Sequence, residues 1–286
     1  MQSNNPVFNR SEGFNGRGTT TAARSNDPSQ WHIDLNQQQG SGYPTIGLDD
    51  RMTIDSVVQK TGMTLGLVIA TAAVTWVAIG DMFNVDGVAQ QGAVQKAFAF
   101  AMGGAIVGLV LSLVNSFKRV ISPALVLAYA VAEGVFVGAF SKVVASYVGD
   151  TSIVAQAIVG TMVAFGATLA AYKFFNIRVT DKFRKVVTIS IFAFVGATLI
   201  NFVLSITGVI NNGGIRGFNT LGLVVSAIAV VLAVFMLVMD FDFVERGVEA
   251  GLPERESWRA AFGLTVTLIW LYIEILRILA ILRGND

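Results

Sequence analysis

The stretch GFNTLGLVVSAIAVVLAVFMLVM, residues 217–239, runs for 23 residues without a charged side chain. About 20 consecutive apolar residues are enough for a helix to cross the roughly 30 Å hydrocarbon core of a bilayer. A soluble helix of this length would carry charges on the face that it turns to water. The stretch therefore predicts a membrane-spanning helix.

Six further helices are predicted on the same ground. Uncharged runs cover residues 61–80, 97–117, 151–172 and 186–215. Residues 120–141 are interrupted only by Glu133, and residues 260–282 only by Glu274 and Arg277. The run 186–215 is too long for one span, and the Asn-Asn-Gly-Gly sequence at 211–214 predicts the turn that ends it. The expected fold class is an all-α integral membrane protein with seven transmembrane helices.

Composition agrees with a membrane protein and excludes several kinds of site. Apolar residues make up 53% of the chain and charged residues only 14%, too few to cover the surface of a soluble protein of this length. The chain has no cysteine, which excludes disulfides and zinc–thiolate sites. The net charge of +1 offers no attraction to nucleic acid.

Residues 1–50 differ from the rest of the chain. They are rich in Asn, Gly, Ser, Gln and Thr and poor in large apolar side chains. Such a segment buries too little surface to offset its ordering entropy. We therefore predict a disordered polar tail over 1–50 and a transmembrane domain over 51–286.

Basic residues predict the orientation. With the N-terminus in the cytoplasm, 15 of the 20 Lys and Arg residues fall on the cytoplasmic side and 5 on the other. Short cytoplasmic loops of membrane proteins carry an excess of Lys and Arg. The expected location is the plasma membrane, with a cytoplasmic N-terminus and an external C-terminus.

Acidic residues inside or next to the spans are candidates for function, because a charge at mid-membrane is costly. Glu133 lies within the third span and Glu274 within the seventh. Asp240, with Asp242 nearby, follows the sixth apolar run and is expected at its cytoplasmic end.

Each of these residues also has a structural interpretation. Asp240 and Asp242 are equally well read as interfacial charges. Glu274 and Arg277 are three residues apart and could neutralise each other on one helix face, unless Arg277 reaches out to the interface. Glu133 would be satisfied by a polar neighbour such as Asn201.

Most enzyme classes are excluded because the membrane spans lack the residue types that their active sites require. The only histidine, His32, lies in the tail, so a Ser–His pair or a histidine–zinc site within the bundle is excluded. The seventh span has no lysine for a retinal Schiff base. A few buried carboxylates remain, and carboxylates suit hard cations and protons.

Three stretches resemble the Bax inhibitor-1 family (the transmembrane Bax inhibitor motif family), in its bacterial branch. The first is AYAVAEGVFVG at 128–138, with the Glu-Gly motif of that family. The second is AIVGT at 157–161, with Phe165 and Tyr172 following. The third is LYIE at 271–274, where the family usually has Asp at the position of Glu274. The similarity covers roughly residues 55–284 and leaves the tail out.

The resemblance implies a last helix that is central and wrapped by the others. It also implies a pH-sensitive calcium leak governed by two facing acidic residues, which are Asp240 and Glu274 in this chain. These two would then also be the candidate Ca²⁺ contacts. Arg119 is the candidate latch for Asp240 by position, with Arg277 and Asp242 as further ion-pair partners. No cofactor is implied.

Three functions stay open. The first is a cation leak, for calcium above all, that is controlled by protonation of the acidic pair. The second is a non-conducting regulator that binds a membrane protease or a stress-response partner. The third is a proton-coupled transporter that uses Glu133. The expected partners are the lipid bilayer, calcium or other cations, and a membrane protein, but no nucleic acid.

Overall fold

The structure, a computed structural model, describes residues 51–83, 87–175, 177–211 and 213–284. Over these ranges it contains seven helices long and apolar enough to cross a membrane, which confirms the seven-span prediction. The tail at 1–50 lies outside the described residues. The helices are α1 (Ile54–Ile79), α2 (Gln91–Phe117), α3 (Pro123–Val148), α4 (Ser152–Phe174), α5 (Asp181–Ile206), α6 (Thr220–Glu249) and α7 (Glu256–Arg283).

Helix ends follow local sequence signals. Thr53 and Ser56 form a capping box at the start of α1, in which each side chain accepts a hydrogen bond from the other residue's backbone N–H. Asn219 caps α6 by accepting from the backbone N–H of Gly222, 2.9 Å away. Gly149 ends α3 in the left-handed conformation, at φ +75°, which favours glycine.

Successive spans alternate in direction, which gives the bundle two ends. We call the end with Arg51 and the α2–α3, α4–α5 and α6–α7 loops the N-terminal side. The end with the α1–α2, α3–α4 and α5–α6 loops and the C-terminus is the far side. A short 3-10 turn, Gly214–Arg216, lies in the α5–α6 loop on the far side.

The sixth helix is longer than its apolar run. The run ends at Met239, but α6 continues to Glu249. Asp242 and Arg246 pair across one turn of this extension, which supports a helix among polar surroundings. Asp240 is therefore nine residues, about 14 Å, from the end of α6, and its predicted place at the end of the helix is wrong. Hydropathy marks where a chain leaves the apolar layer, which need not be where its helix ends.

Glycines let α3 pack closely on two neighbours. A Cβ at Gly138 would lie 2.4 Å from the carbonyl oxygen of Ala72 in α1, and one at Gly104 of α2 would lie 2.7 Å from the backbone nitrogen of Phe136 in α3. Close backbone approach of this kind is typical of helix packing in lipid. Gly62 and Gly66 share the four-residue spacing, but nothing lies within 4 Å of a Cβ at either position.

The last helix is the most buried of the seven. Within the apolar window of α7, 67% of the residues are buried, against 11–39% in the other helices. It contacts α1, α3, α4 and α6. Three hydroxyl pairs connect it to α1 and α3: Ser56–Ser257 at 2.6 Å, Thr64–Thr265 at 2.7 Å and Ser141–Tyr272 at 2.7 Å. That all other helices wrap α7 stays a prediction.

Candidate functional site

A buried ion pair joins the far-side loop to α7. Glu274 is 1% exposed, and both of its carboxylate oxygens accept hydrogen bonds from the guanidinium of Arg216. The Nη2–Oε1 distance is 2.6 Å and the Nη1–Oε2 distance is 3.0 Å. This two-bond geometry is the strong form of an Arg–carboxylate contact. Arg216 therefore fixes the end of the 3-10 turn to the last helix.

The turn that carries Arg216 is fixed from two directions. Asn201 of α5 donates to the carbonyl of Gly213 at 3.0 Å and accepts from the backbone N–H of Ile215 at 3.0 Å. Arg277 of α7 donates to the carbonyl of Arg216 itself. The polar groups of Asn201 are thus used by the turn, and its suggested contact with Glu133 is not found.

Arg277 does not take the role proposed from its spacing to Glu274. The partner of Glu274 is Arg216, and Arg277 is 7% exposed, so it is buried rather than extended to the interface. Its guanidinium lies over the ring of Phe218, 5.2 Å from the centroid. Arg277 thus holds the backbone of the turn through the carbonyl of Arg216, while the side chain of Arg216 makes the ion pair with Glu274.

The carboxylate of Asp240 lies between α6 and α7 and is half-buried. Its Oδ2 accepts a hydrogen bond of 2.6 Å from the hydroxyl of Thr267, and a Cβ on Gly263 would come within 3.5 Å of its Oδ1. Among the described residues no basic side chain lies within 4 Å of this carboxylate. Asp240 is therefore a carboxylate with a hydroxyl partner and no ion-pair partner.

Asp240 and Glu274 do not meet. Thr267, the partner of Asp240, precedes Glu274 by seven residues, which is about 10 Å along α7. Both oxygens of Glu274 are occupied by Arg216. A proton shared between the two carboxylates, as the resemblance implies, does not fit this arrangement. Thr267 and Glu274 are two turns apart on one stripe of α7. Asp240, which contacts Thr267 from α6, and Glu274 therefore lie at different depths along that stripe.

Asp242 belongs to a separate cluster on the N-terminal side. It is 5% exposed and pairs with Arg184 of α5 at 2.9 Å and with Arg246 of α6 at 2.9 Å. Arg246 also donates to the carbonyl of Val179, at 3.0 Å. Asp242 therefore connects α5 to α6 and does not face Glu274.

Glu133 and Arg119 lie away from these contacts. Glu133 of α3 faces α2, where a Cβ on Gly108 would come within 2.8 Å of its Oε1. Arg119 is exposed in the α2–α3 loop, and its backbone carbonyl accepts from Arg259 at 2.8 Å. Within the described ranges no hydrogen bond or ion pair joins Arg119 to Asp240, whose partner is Thr267.

The acids do not form a ready-made metal site. No group of three or more acidic or histidine side chains that could hold a metal ion occurs among the described residues. Ca²⁺ takes six to eight oxygen ligands, and Asp240 and Glu274 are too far apart to supply them together. A Ca²⁺ contact by either residue alone stays a prediction.

A second far-side contact joins α7 to the α3–α4 loop. Asp150 accepts from the hydroxyl of Ser152 at 2.6 Å and from its backbone N–H at 2.8 Å, and it pairs with Arg283 at the end of α7. These hydrogen bonds from Ser152, together with the charge of Arg283, lower the pKa of Asp150.

Sequence reasoning missed Arg216 and Thr267. One signal for Arg216 was present, because it is the basic residue between two uncharged runs, 186–215 and 217–239. An arginine with apolar neighbours on both sides needs a partner. Thr267 gave no signal, since a threonine in an apolar span is ordinary.

Comparison with known families agrees with the resemblance. A family model described as Bax inhibitor 1 like matches residues 5–284. The match begins at residue 5, so leaving the tail out of the similarity was wrong. No curated protein matches the chain.

Proposed function

Because the chain belongs to the Bax inhibitor 1 like family, we propose that it is a pH-sensitive cation leak of the membrane, with calcium as the main ion. The observation that carries the proposal is the buried Arg216–Glu274 ion pair. It holds a far-side loop over a stripe of α7 that also contacts Asp240. We infer that this stripe is the ion path and that the ion pair closes it.

The closing works through charge. While Arg216 is bound to Glu274, its guanidinium occupies the far-side end of the stripe and repels an approaching cation, and the carboxylate of Glu274 is neutralised. Separation of Arg216 from Glu274 releases the turn, so the path opens. Acid weakens ion pairs that involve carboxylates, so the leak should rise as the pH falls. Asp240, without a basic partner, attracts the cation at mid-depth.

Calcium uptake by liposomes that contain the purified protein tests this scheme. Glu274→Gln and Arg216→Gln should each raise uptake at pH 7 by at least about fivefold and flatten its pH dependence. The double variant should resemble the single ones, because the pair acts as one unit. Arg283→Gln is the matched control, since Arg283 lies on the same side and pairs with Asp150 instead.

The variant Asp240→Asn distinguishes an effect on conduction along the path from an effect on its closure by the ion pair. It should lower uptake at every pH and leave the pH profile in shape, because Asp240 does not touch the ion pair. Combined with Glu274→Gln, its effect should add in the logarithm of the flux, as expected of independent sites. An unchanged pH profile in both Glu274→Gln and Arg216→Gln would remove the ion pair from the mechanism.

The same assay separates the other two functions. Absence of protein-dependent calcium uptake from pH 5 to pH 8, in the wild type and in every variant, would favour a non-conducting regulator. Uptake that requires an imposed proton gradient, and that is lost in Glu133→Gln, would favour a proton-coupled transporter.

A further inference from the structure

The α4–α5 connection on the N-terminal side is densely basic. Residues 173–185 contain five basic side chains and one acidic one, Asp181. All five basic residues are exposed: Lys173, Arg178, Lys182, Arg184 and Lys185. The segment joins two spans, so it lies at one border of the membrane.

The acids that face this segment from α6 are already engaged. Asp242 pairs with Arg184 and Arg246, and Glu245 accepts a hydrogen bond from the hydroxyl of Tyr172. Over the described part of the chain, no acidic oxygen lies within 4 Å of the remaining four basic groups. These four basic groups therefore make no ion pair within the described residues.

The backbone of residues 179–183 is held in place. Val179 is 5% exposed, and its carbonyl accepts from Arg246 at 3.0 Å. The hydroxyl of Thr180 accepts from the backbone N–H of Phe183 and caps α5. The basic side chains thus start from a fixed position at the end of the bundle.

Two aromatic side chains accompany the charges. Phe174 and Phe175, where α4 ends, are each 78% exposed. Two adjacent apolar side chains that are this exposed form a patch suited to contact with lipid or another apolar surface. Basic and aromatic side chains together, directly beside a span, match the headgroup and acyl boundary of a bilayer.

We propose that the segment 173–185 binds the phosphate headgroups of anionic phospholipids. Lys173, Arg178, Lys182 and Lys185 contact the phosphates, while Phe174 and Phe175 enter the acyl layer beside them. The position of the segment at the start of α5 means that bound lipid would also affect this helix. Helix α5 is the least buried span, with 11% of its apolar window buried, so lipid held at its start fixes a helix that the protein holds weakly.

The test uses a reporter at the site. The chain has no cysteine, so Val186→Cys, at an exposed position next to the segment, accepts a single fluorophore, which brominated lipids quench on contact. In nanodiscs, brominated phosphatidylglycerol should compete for the site roughly fivefold better than brominated phosphatidylcholine. The preference should shrink in 1 M salt, where the Debye length is about 3 Å.

Two charge variants decide the outcome. Replacing Lys173, Arg178, Lys182 and Lys185 by Gln should bring the preference for phosphatidylglycerol close to one. The matched control removes four other exposed charges by the same change, at Lys96, Lys118, Arg119 and Arg255, and should keep the preference. Equal quenching by both lipids in the wild type, or an equal loss in both variants, would overturn the proposal.

Discussion

At the scale of single residues, the stability of the far side of the bundle depends on the buried charge of Glu274 and on its neutralisation by Arg216. Glu274 is buried and Arg216 is largely shielded, with 16% of its side chain exposed, and each charge is stabilised there by the other. Arg277 adds a second buried positive charge beside them, bound to the carbonyl of Arg216. Changing one member alone therefore leaves a charge without compensation.

The first prediction concerns this compensation. Glu274→Ala should lower the free energy of unfolding by about 3–5 kcal/mol, because it leaves Arg216 buried and unpaired. The double variant Arg216→Met, Glu274→Leu should recover most of that loss, because apolar pairs of similar volume often replace buried ion pairs without cost. Thermal unfolding in detergent measures both. A double variant less stable than Glu274→Ala would contradict the account.

Asp150 supplies a prediction on pH. Its pKa is lowered by the hydrogen bonds from Ser152 and by Arg283, so its contribution to stability is present above the ordinary Asp value of about 3.9. That contribution is lost as the pH falls through the lowered pKa. The melting temperature of Asp150→Asn should lie below that of the wild type at pH 7 and approach it below about pH 4. A constant difference from pH 7 to pH 3 would refute this.

At the scale of helices, the existence of each span was predictable and its partners were not. An apolar run is local information, so all seven helices followed from the printed sequence. The depth of Asp240 did not, because α6 extends ten residues beyond Met239 and the sequence marks only the membrane border. The partner of Glu274 lies in the loop that folds over α7. The spacing of residues within α7 does not predict which loop that is.

Helix packing gives a prediction with a built-in control. Gly138→Ala should destabilise the protein by about 1–3 kcal/mol, because the new Cβ would meet the backbone carbonyl of Ala72 at 2.4 Å. Gly66→Ala has the same chemistry in α1 but meets nothing within 4 Å, so it should be neutral or slightly stabilising. Melting temperatures of both variants make the comparison, and equal losses would refute the assigned contact between α1 and α3.

At the scale of the whole molecule, orientation is the property that most directly affects the proposed mechanism. If the 15 to 5 distribution of basic residues sets it, the Arg216–Glu274 pair faces the external side and responds to external pH. The segment 173–185 then faces the cytoplasmic leaflet.

Single-cysteine labelling measures the orientation, because the chain has no cysteine of its own. In intact cells an impermeant thiol reagent should label a cysteine at position 285 and not one at position 20. Labelling of both after the cells are opened is the control for accessibility. Labelling at position 20 alone in intact cells would reverse the orientation and place the ion pair on the cytoplasmic side.

The burial of α7 also bears on how the protein is made. The most buried of the seven helices leaves the ribosome after the other six. Until then Thr64, Ser141, Asp240 and Arg216 lack the partners that α7 supplies. Polar groups exposed to lipid are costly, and such an intermediate presents them to the proteases of membrane quality control. A chain cut short before Glu256 should therefore be degraded rapidly, although six of its seven spans are intact.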